Sequence, residues 1–338
     1  MAGFALPAMP LNATLTALFV FLPPLYAEFR GLGAAAVGGV FLVAKLFDMV
    51  TDPLFGLAAD RLRTRWGRRR PWLVVSVPIL MLSLYRLYLP PETAGYGYFT
   101  GWLIVMYVGW TLSTVSHTAW ALELSGDYDR RSRITAILQV AIILGAIIVS
   151  IIPAAMERLG SPSYEERTAA IGLFLVFSLP ISVLVCLISI REPAMKPQPA
   201  INWKSIAIVL RSAALFRLMI ANALLTFSTY FVQGLFVFFV SFTLGMEDQV
   251  GFILLFLILG GLFCLPLWVK LSEVWSKHKT VQVAVGFGAL APILLLVLPP
   301  GQVAMTALVF LLIGVNTSAN EFLPRSMMAD VSDEDSVH

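Results

Sequence analysis

Charge is scarce in this sequence. Aspartate, glutamate, lysine and arginine together make up 13% of the 338 residues, whereas a soluble domain carries about 25%. That scarcity excludes the solvated surface that a water-soluble fold of this size needs. Cysteine is nearly absent. Cys186 and Cys264 are the two present, both inside apolar runs, so they read as small hydrophobes without a disulfide or thiolate–metal role. The three histidines, His117, His278 and His338, are scattered and make no ligand spacing. The short alternating strands of a membrane barrel are missing, as are a nucleotide-binding loop and a nucleophile–base constellation. Enzymatic chemistry and an organic cofactor are therefore not expected. The net charge of +3 gathers in particular loops, which argues for topology and against a nucleic-acid partner.

Long apolar runs take the place of charge. The chain is 59% hydrophobic and its mean hydropathy is +0.85, which predicts an all-α polytopic membrane protein whose surroundings are a lipid bilayer. Ten segments of spanning length are predicted, at 4–27, 34–59, 72–90, 98–122, 134–156, 168–190, 215–244, 249–271, 280–299 and 303–329. Arg30-Gly31 splits the first two, and the proline pairs at 90–91 and 299–300 mark turns. The proline-rich stretch 192–204 reads as a linker between an N-terminal six-helix bundle, 1–191, and a C-terminal bundle of four helices, 205–338. Ser205 to Arg217 reads as a short amphipathic helix on the surface. Basic residues crowd every second loop, at 60–71, 123–133, the linker and 270–279, while the intervening loops hold acids or nothing. The positive-inside rule then puts the N-terminus in the cytoplasm, in a multi-pass protein of the cell's inner (cytoplasmic) membrane.

Asp48 and Asp52 stand out within the second segment. Each carboxylate in a span costs roughly 2.5–3.5 kcal/mol. Lys45, Asp48 and Asp52 share one helix face, being spaced i, i+3 and i+7. A charge-paired packing face explains one acid, neutralised by Lys45, and leaves the other unpaired. The alternative is a cation site, with Na⁺ on hard oxygen ligands or a proton shared by the pair.

An internal repeat supports the division into halves. Val37-Gly38 and Val250-Gly251 open the second and eighth spans, and a gapless overlay puts Pro53 on Pro266 and Asp60 on Glu273. Parallel halves of this kind are typical of major-facilitator transporters. The overlay sets Asp48 on Gly261 and Asp52 on Leu265, so the carboxylates belong to the first half alone. Asp60, Arg61, Arg65, Gly67, Arg68 and Arg69 resemble the superfamily's cytoplasmic loop motif, which braces one conformation of the transporter. A plain topology anchor is the other reading.

Three stretches carry a closer resemblance: FLVAKLFDMVTDPLFG with RTRWGRRRPW, AWALELSGDYDRRSR, and LPRSMMADVSDED. In this order they resemble the glycoside–pentoside–hexuronide:cation symporters, the melibiose permease-like family of the major facilitator superfamily. The resemblance implies a cation site at Asp48 and Asp52, with Lys45 one turn earlier, Thr111 on the fourth helix and Thr51 in the place of an asparagine. It also implies departures. The family's two sugar-gripping aspartates fall on Asn12 and Thr114, a supporting arginine on Gln139, and a stacking tryptophan on Thr118 with Trp110 nearby. Galactoside specificity therefore does not transfer. Asn12, Trp110, Thr114, Gln139 and Glu321 remain candidates for lining a pocket for another polar solute. Each is equally explained by an interhelical hydrogen bond, or for Glu321 by an i,i+4 pair with Arg325.

Members of that family have twelve spans, so the last two are expected to be missing here. The expected function is cation-coupled (Na⁺ or H⁺) symport of a small polar, sugar-like solute by alternating access, with no need for an oligomer. The rivals are a lysolipid or amphiphile carrier of the same fold and a truncated fragment that does not transport. His117 is expected to be a hydrogen-bonded structural residue, and Glu123, Asp127, Asp129, Arg130, Arg131 and Arg133 a mixed-charge loop or interdomain latch.

Overall fold

In the computed structural model of the chain the described residues are 2–61, 64, 66–124, 128–160, 163–190 and 213–335. They include ten helices long and apolar enough to cross a membrane. We number them α1 (Ala2–Val20), α2 (Ala34–Arg61), α3 (Arg70–Tyr88), α4 (Tyr96–Glu123), α5 (Tyr128–Leu159), α6 (Tyr164–Ser189), α7 (Ala213–Phe238), α8 (Val250–Trp275), α9 (Lys277–Leu290) and α10 (Val303–Asp335). A helix is the expected outcome for each run, because only a helix satisfies every backbone group of a lone segment in lipid. The chain divides into two compact units, Met1–Ala194 and Met195–His338. The expected linker, 192–204, lies outside the described residues.

Two local expectations are corrected. Of the surface helix expected at Ser205–Arg217, residues 205–212 lie outside the described residues, and 213–217 form the first turns of α7. Arg130, Arg131 and Arg133 sit on α5, which starts at Tyr128, and not in a loop. Hydropathy sees only the apolar part of a helix, and helices project past it at both ends.

The repeat is visible in hydrogen bonds. After α1 a π turn, Leu25–Phe29, is closed by Arg30 N–H to Leu25 O and Leu32 N–H to Tyr26 O. Gly31 follows at φ +69°, a left-handed conformation that suits a residue without Cβ. After α7 the π turn Phe239–Thr243 is closed by Leu244 N–H to Phe239 O and Met246 N–H to Val240 O, with Gly245 at φ +66°. Pro53 and Pro266 both lie inside their helices, as the overlay requires.

Small residues set the helix crossings. A Cβ on Gly145 of α5 would run into the Met9 carbonyl of α1, one on Gly260 of α8 into Leu311 O of α10, and one on Gly314 of α10 into Leu257 O of α8. Close backbone approach of this kind is the main source of helix association in lipid, where burial of apolar surface gives no drive. In the second unit α10 also turns a polar side chain to each neighbour. Asn316 lies against Gly288 of α9, Thr317 against Gly261 of α8, and Asn320 donates to Thr229 Oγ1 of α7 at 3.4 Å. Trp268 of α8 donates its Nε1–H to Val315 O at 2.8 Å.

The first unit is tied at both ends. Arg30 bonds Glu165 Oε1 at 2.6 Å and Pro90 O at 3.2 Å. Tyr26 donates to Leu87 O and Tyr164 to Phe21 O, and a buried pair joins Arg167 to Glu157 at 3.1 Å. At the other end Thr64 Oγ1 donates to Gly67 O at 2.6 Å in a tight turn that needs Gly67 at φ +114°, and Arg68 and Arg69 are buried. Arg70, which the sequence did not single out, donates to Leu187 O and Ile190 O at the end of α6 and lies over the Trp120 ring. It satisfies carbonyls that a helix C-terminus leaves open.

Replacing Gly314 with Leu is expected to separate α8 from α10 and destabilise the protein by about 1–3 kcal/mol. Gly286→Ala, where a Cβ meets nothing within 4 Å, is expected to stay within about 0.5 kcal/mol of the parent. Thermal unfolding in detergent, followed by tryptophan fluorescence, compares the two.

Candidate functional site

α2 and α4 pack side by side in the first unit, and their contact carries the charged cluster. Lys45, Asp48 and Asp52 come from the α2 face turned to α4, as their spacing requires. Lys45 Nζ lies 2.7 Å from Asp48 Oδ2 and 5.2 Å from the Tyr107 ring centroid. Thr111 of α4, itself fully buried, places its hydroxyl 2.9 Å from Asp48 Oδ1 and 2.8 Å from Asp52 Oδ1. Asp48 is 1% exposed and Asp52 is half-buried.

Counting protons in this cluster leaves it one positive charge short. A threonine hydroxyl has one hydrogen to donate, yet two carboxylate oxygens stand within hydrogen-bond distance of it. If Thr111 donates to Asp48, the oxygen of Asp52 beside it needs either its own proton, donated back to the Thr111 oxygen, or a cation bridging the gap. The charges agree. Two carboxylates and one ammonium sum to minus one, inside a span where an uncompensated charge costs about 2.5–3.5 kcal/mol. The oxygens at hand are two carboxylates and a hydroxyl, a hard donor set that fits Na⁺ and gives no preference to a transition metal. Among the described residues no group of three His, Cys, Asp or Glu side chains converges.

The other expected site residues are placed differently. Thr51 turns its hydroxyl to its own helix, donating to Phe47 O and Asp48 O at 3.0 and 3.2 Å, instead of reaching the carboxylates. Its short side chain lacks the reach of the asparagine it replaces. Asn12 Nδ2 donates to Ile142 O of α5 at 3.2 Å. Thr114 Oγ1 donates to Trp110 O at 2.8 Å. Asn12 thus has the interhelical bond that the plainer explanation gave it, whereas Thr114 bonds within its own helix. Gln139 and Trp110 are half-buried, and the indole Nε1 of Trp110 is buried without a hydrogen-bond partner. His117 is a structural residue, with Nε2 at 2.7 Å from Phe4 O and its ring stacked on Phe4. The side chains of Asp60, Arg61, Glu123, Asp129, Arg130, Arg131, Arg133 and Glu321, and all of Arg65 and Asp127, lie outside the described residues.

Comparison with known proteins accounts for nearly the whole chain. Residues 3–338 match a family model described as MFS/sugar transport protein. The human sodium-dependent lysophosphatidylcholine symporter 1 is 23% identical over 90% of this chain and 62% of its own length. The uncharacterized symporter YjmB of Bacillus subtilis is 22% identical over 86% of this chain and 65% of its own, so this chain spans somewhat under two thirds of these relatives. Among solved structures, a bacterial homolog of the human lysosomal transporter Spinster superposes with a TM-score of 0.66 at 13% identity, covering 95% of this chain and 72% of that one; at that identity the likeness is one of fold. The ten spans, the repeated helix connections and this match together establish that the chain is a multi-pass membrane protein of the major-facilitator fold and belongs to the MFS/sugar transport protein family.

Proposed function

We propose that the protein is a secondary active transporter in which Asp48, Asp52 and Thr111 bind the coupling cation, Na⁺ or H⁺, and that entry of this ion drives symport of a solute by alternating access. The observation that carries the proposal is the single Thr111 hydroxyl shared by two carboxylates inside the membrane. A packing face has no use for that charge deficit, whereas a coupling site must be able to gain and lose one cation. Lys45 holds Asp48 in place, and Asp52 carries the exchangeable charge. The N-terminus lies in the cytoplasm of a cell with this protein in its inner membrane. The buried arginines Arg68 and Arg69, with Asp60, Arg61, Arg65 and Gly67, brace the cytoplasmic side during the cycle.

The solute in this proposal is a small polar molecule of the sugar class, contacted by Trp110 and Gln139 with Asn12 and Thr114 of the first unit. A lysolipid is the second reading, and two observations favour it. The human relative is named for lysophosphatidylcholine, and Asn12 and Thr114 already spend donors on backbone carbonyls, which leaves less for a ring of sugar hydroxyls.

Proteoliposomes with an imposed Na⁺ or pH gradient test both. Gradient-driven uptake of a labelled sugar panel or of lysophosphatidylcholine is expected in the parent, and the solute taken up decides between the two readings. Asp52→Asn, close in shape but without the charge, is expected to abolish the gradient dependence. Unchanged coupled uptake in that variant overturns the cation site, and a parent that takes up nothing favours a non-transporting fragment. Thr111→Val removes a hydrogen bond to charged groups worth about 1.5–3 kcal/mol. It is expected to weaken the cation dependence of uptake by about tenfold or more, while Thr111→Ser retains it.

A further inference from the structure

The carboxylate pair already holds one positive charge before any ion arrives. Lys45 Nζ stands 2.7 Å from Asp48 Oδ2, and the Lys45 side chain is 54% exposed where that of Asp48 is 2% exposed. The ammonium therefore reaches in from the edge and caps the oxygen of Asp48 that does not face Thr111. Its other contact is the Tyr107 ring, 5.2 Å from the centroid, a distance at which the aromatic quadrupole attracts a cation. A carboxylate oxygen and a ring face thus hold it at the acids instead of letting it extend away from them.

We propose that Lys45 sets the valence of the site: with its ammonium on Asp48 the pair accepts one monovalent cation, and without it the pair accepts a divalent one. The proposal rests on the cation-site reading given above. Two independent consequences of the geometry lead to it. The first is charge. Two carboxylates and one ammonium leave minus one, which a monovalent ion cancels, whereas a divalent ion would leave an uncompensated positive charge in the span. The second is ligand supply. A hard divalent ion such as Ca²⁺ takes about six to eight oxygens, and Lys45 occupies one of the four carboxylate oxygens here. Removing the ammonium releases that oxygen and raises the negative charge in the same step. Among the described residues no basic side chain stands within 4 Å of Asp52, two turns further along α2, so the effect is specific to Lys45.

Isothermal titration of the purified full chain in lipid nanodiscs, with NaCl and with CaCl₂, reads the valence directly. The parent is expected to take one monovalent ion per chain and to ignore Ca²⁺. Lys45→Met keeps the bulk of the stem and drops the charge; its Ca²⁺ affinity is expected to rise by about tenfold or more over the parent. Lys45→Arg keeps the charge and is expected to keep the parent's preference. Should the methionine variant fail to fold, Lys45→Leu, neutral and without a donor for Asp48, carries the same expectation. A neutral variant that folds and binds no more Ca²⁺ than the parent overturns the valence assignment and leaves the cation site standing. A parent indistinguishable from Asp52→Asn in both Na⁺ binding and proton uptake overturns the cation site, and the assignment with it.

Discussion

Two carboxylates one helical turn apart in a membrane span repel each other and lack water to screen them, and the first unit is arranged around that constraint. Asp48 is fully enclosed, with an ammonium on one oxygen and a hydroxyl on the other. Asp52 is less enclosed and shares that same hydroxyl. The asymmetry matters more than the pair. A buried charge with two partners is fixed, because breaking either contact leaves it unsatisfied at a cost of several kcal/mol. A half-buried one with a partner it must share is the member to which the proposed function assigns the exchangeable charge.

The second unit shows what the crossing looks like without this chemistry. Gly261, overlaid on Asp48, lies so close to Thr317 that a Cβ there would sit 2.6 Å from its hydroxyl oxygen. A threonine of the tenth helix thus meets the eighth helix much as Thr111 meets the second, but it meets a glycine, and its hydroxyl donates to Gly314 O of its own helix. The shared framework is a close helix pair with a threonine at the contact. The first half carries acids there, and α2 presents them while its outward side stays apolar, with Leu42, Leu46, Met49 and Val50 all exposed. Among its neighbouring helices α2 is gripped chiefly by α4, so a change in charge at the acids falls on that contact.

The spans and the acid face were legible in the sequence because both follow from periodicity and length, which are properties of a segment alone. Of the glycine connections only Arg30-Gly31 was legible, as the break between the first two spans; Gly245 emerged from the structure, one place off the gapless overlay. The partners across helices were not legible by spacing. Thr111 entered only through resemblance, since no rule of one segment says which residue of another will face it. Arg70 was read only as one of six arginines in its loop, and nothing in the sequence reveals that Ile190, more than a hundred residues away, ends a helix beside it. Asn12 and Thr114 looked like pocket residues because they replace family acids, yet a polar side chain in a helix first meets the carbonyls nearest to it, and both have done so.

Under the cation-coupled function proposed above, a hydroxyl between the two acids can be satisfied in both charge states. A buried polar group left without a partner costs about 1–3 kcal/mol, and a site that cycles between two charge states must avoid that cost in each. A hydroxyl both donates and accepts. With Asp52 protonated, Thr111 accepts that proton's bond and donates to Asp48. Were a cation to sit at Asp52, the Thr111 hydroxyl would still have its hydrogen for Asp48 and a lone pair to offer. A lysine in that place could only donate and a third carboxylate could only add charge, so each would favour one state at the expense of the other. In the proposed site the threonine would support both states with no change in its position, so that neither would leave an orphaned charge behind.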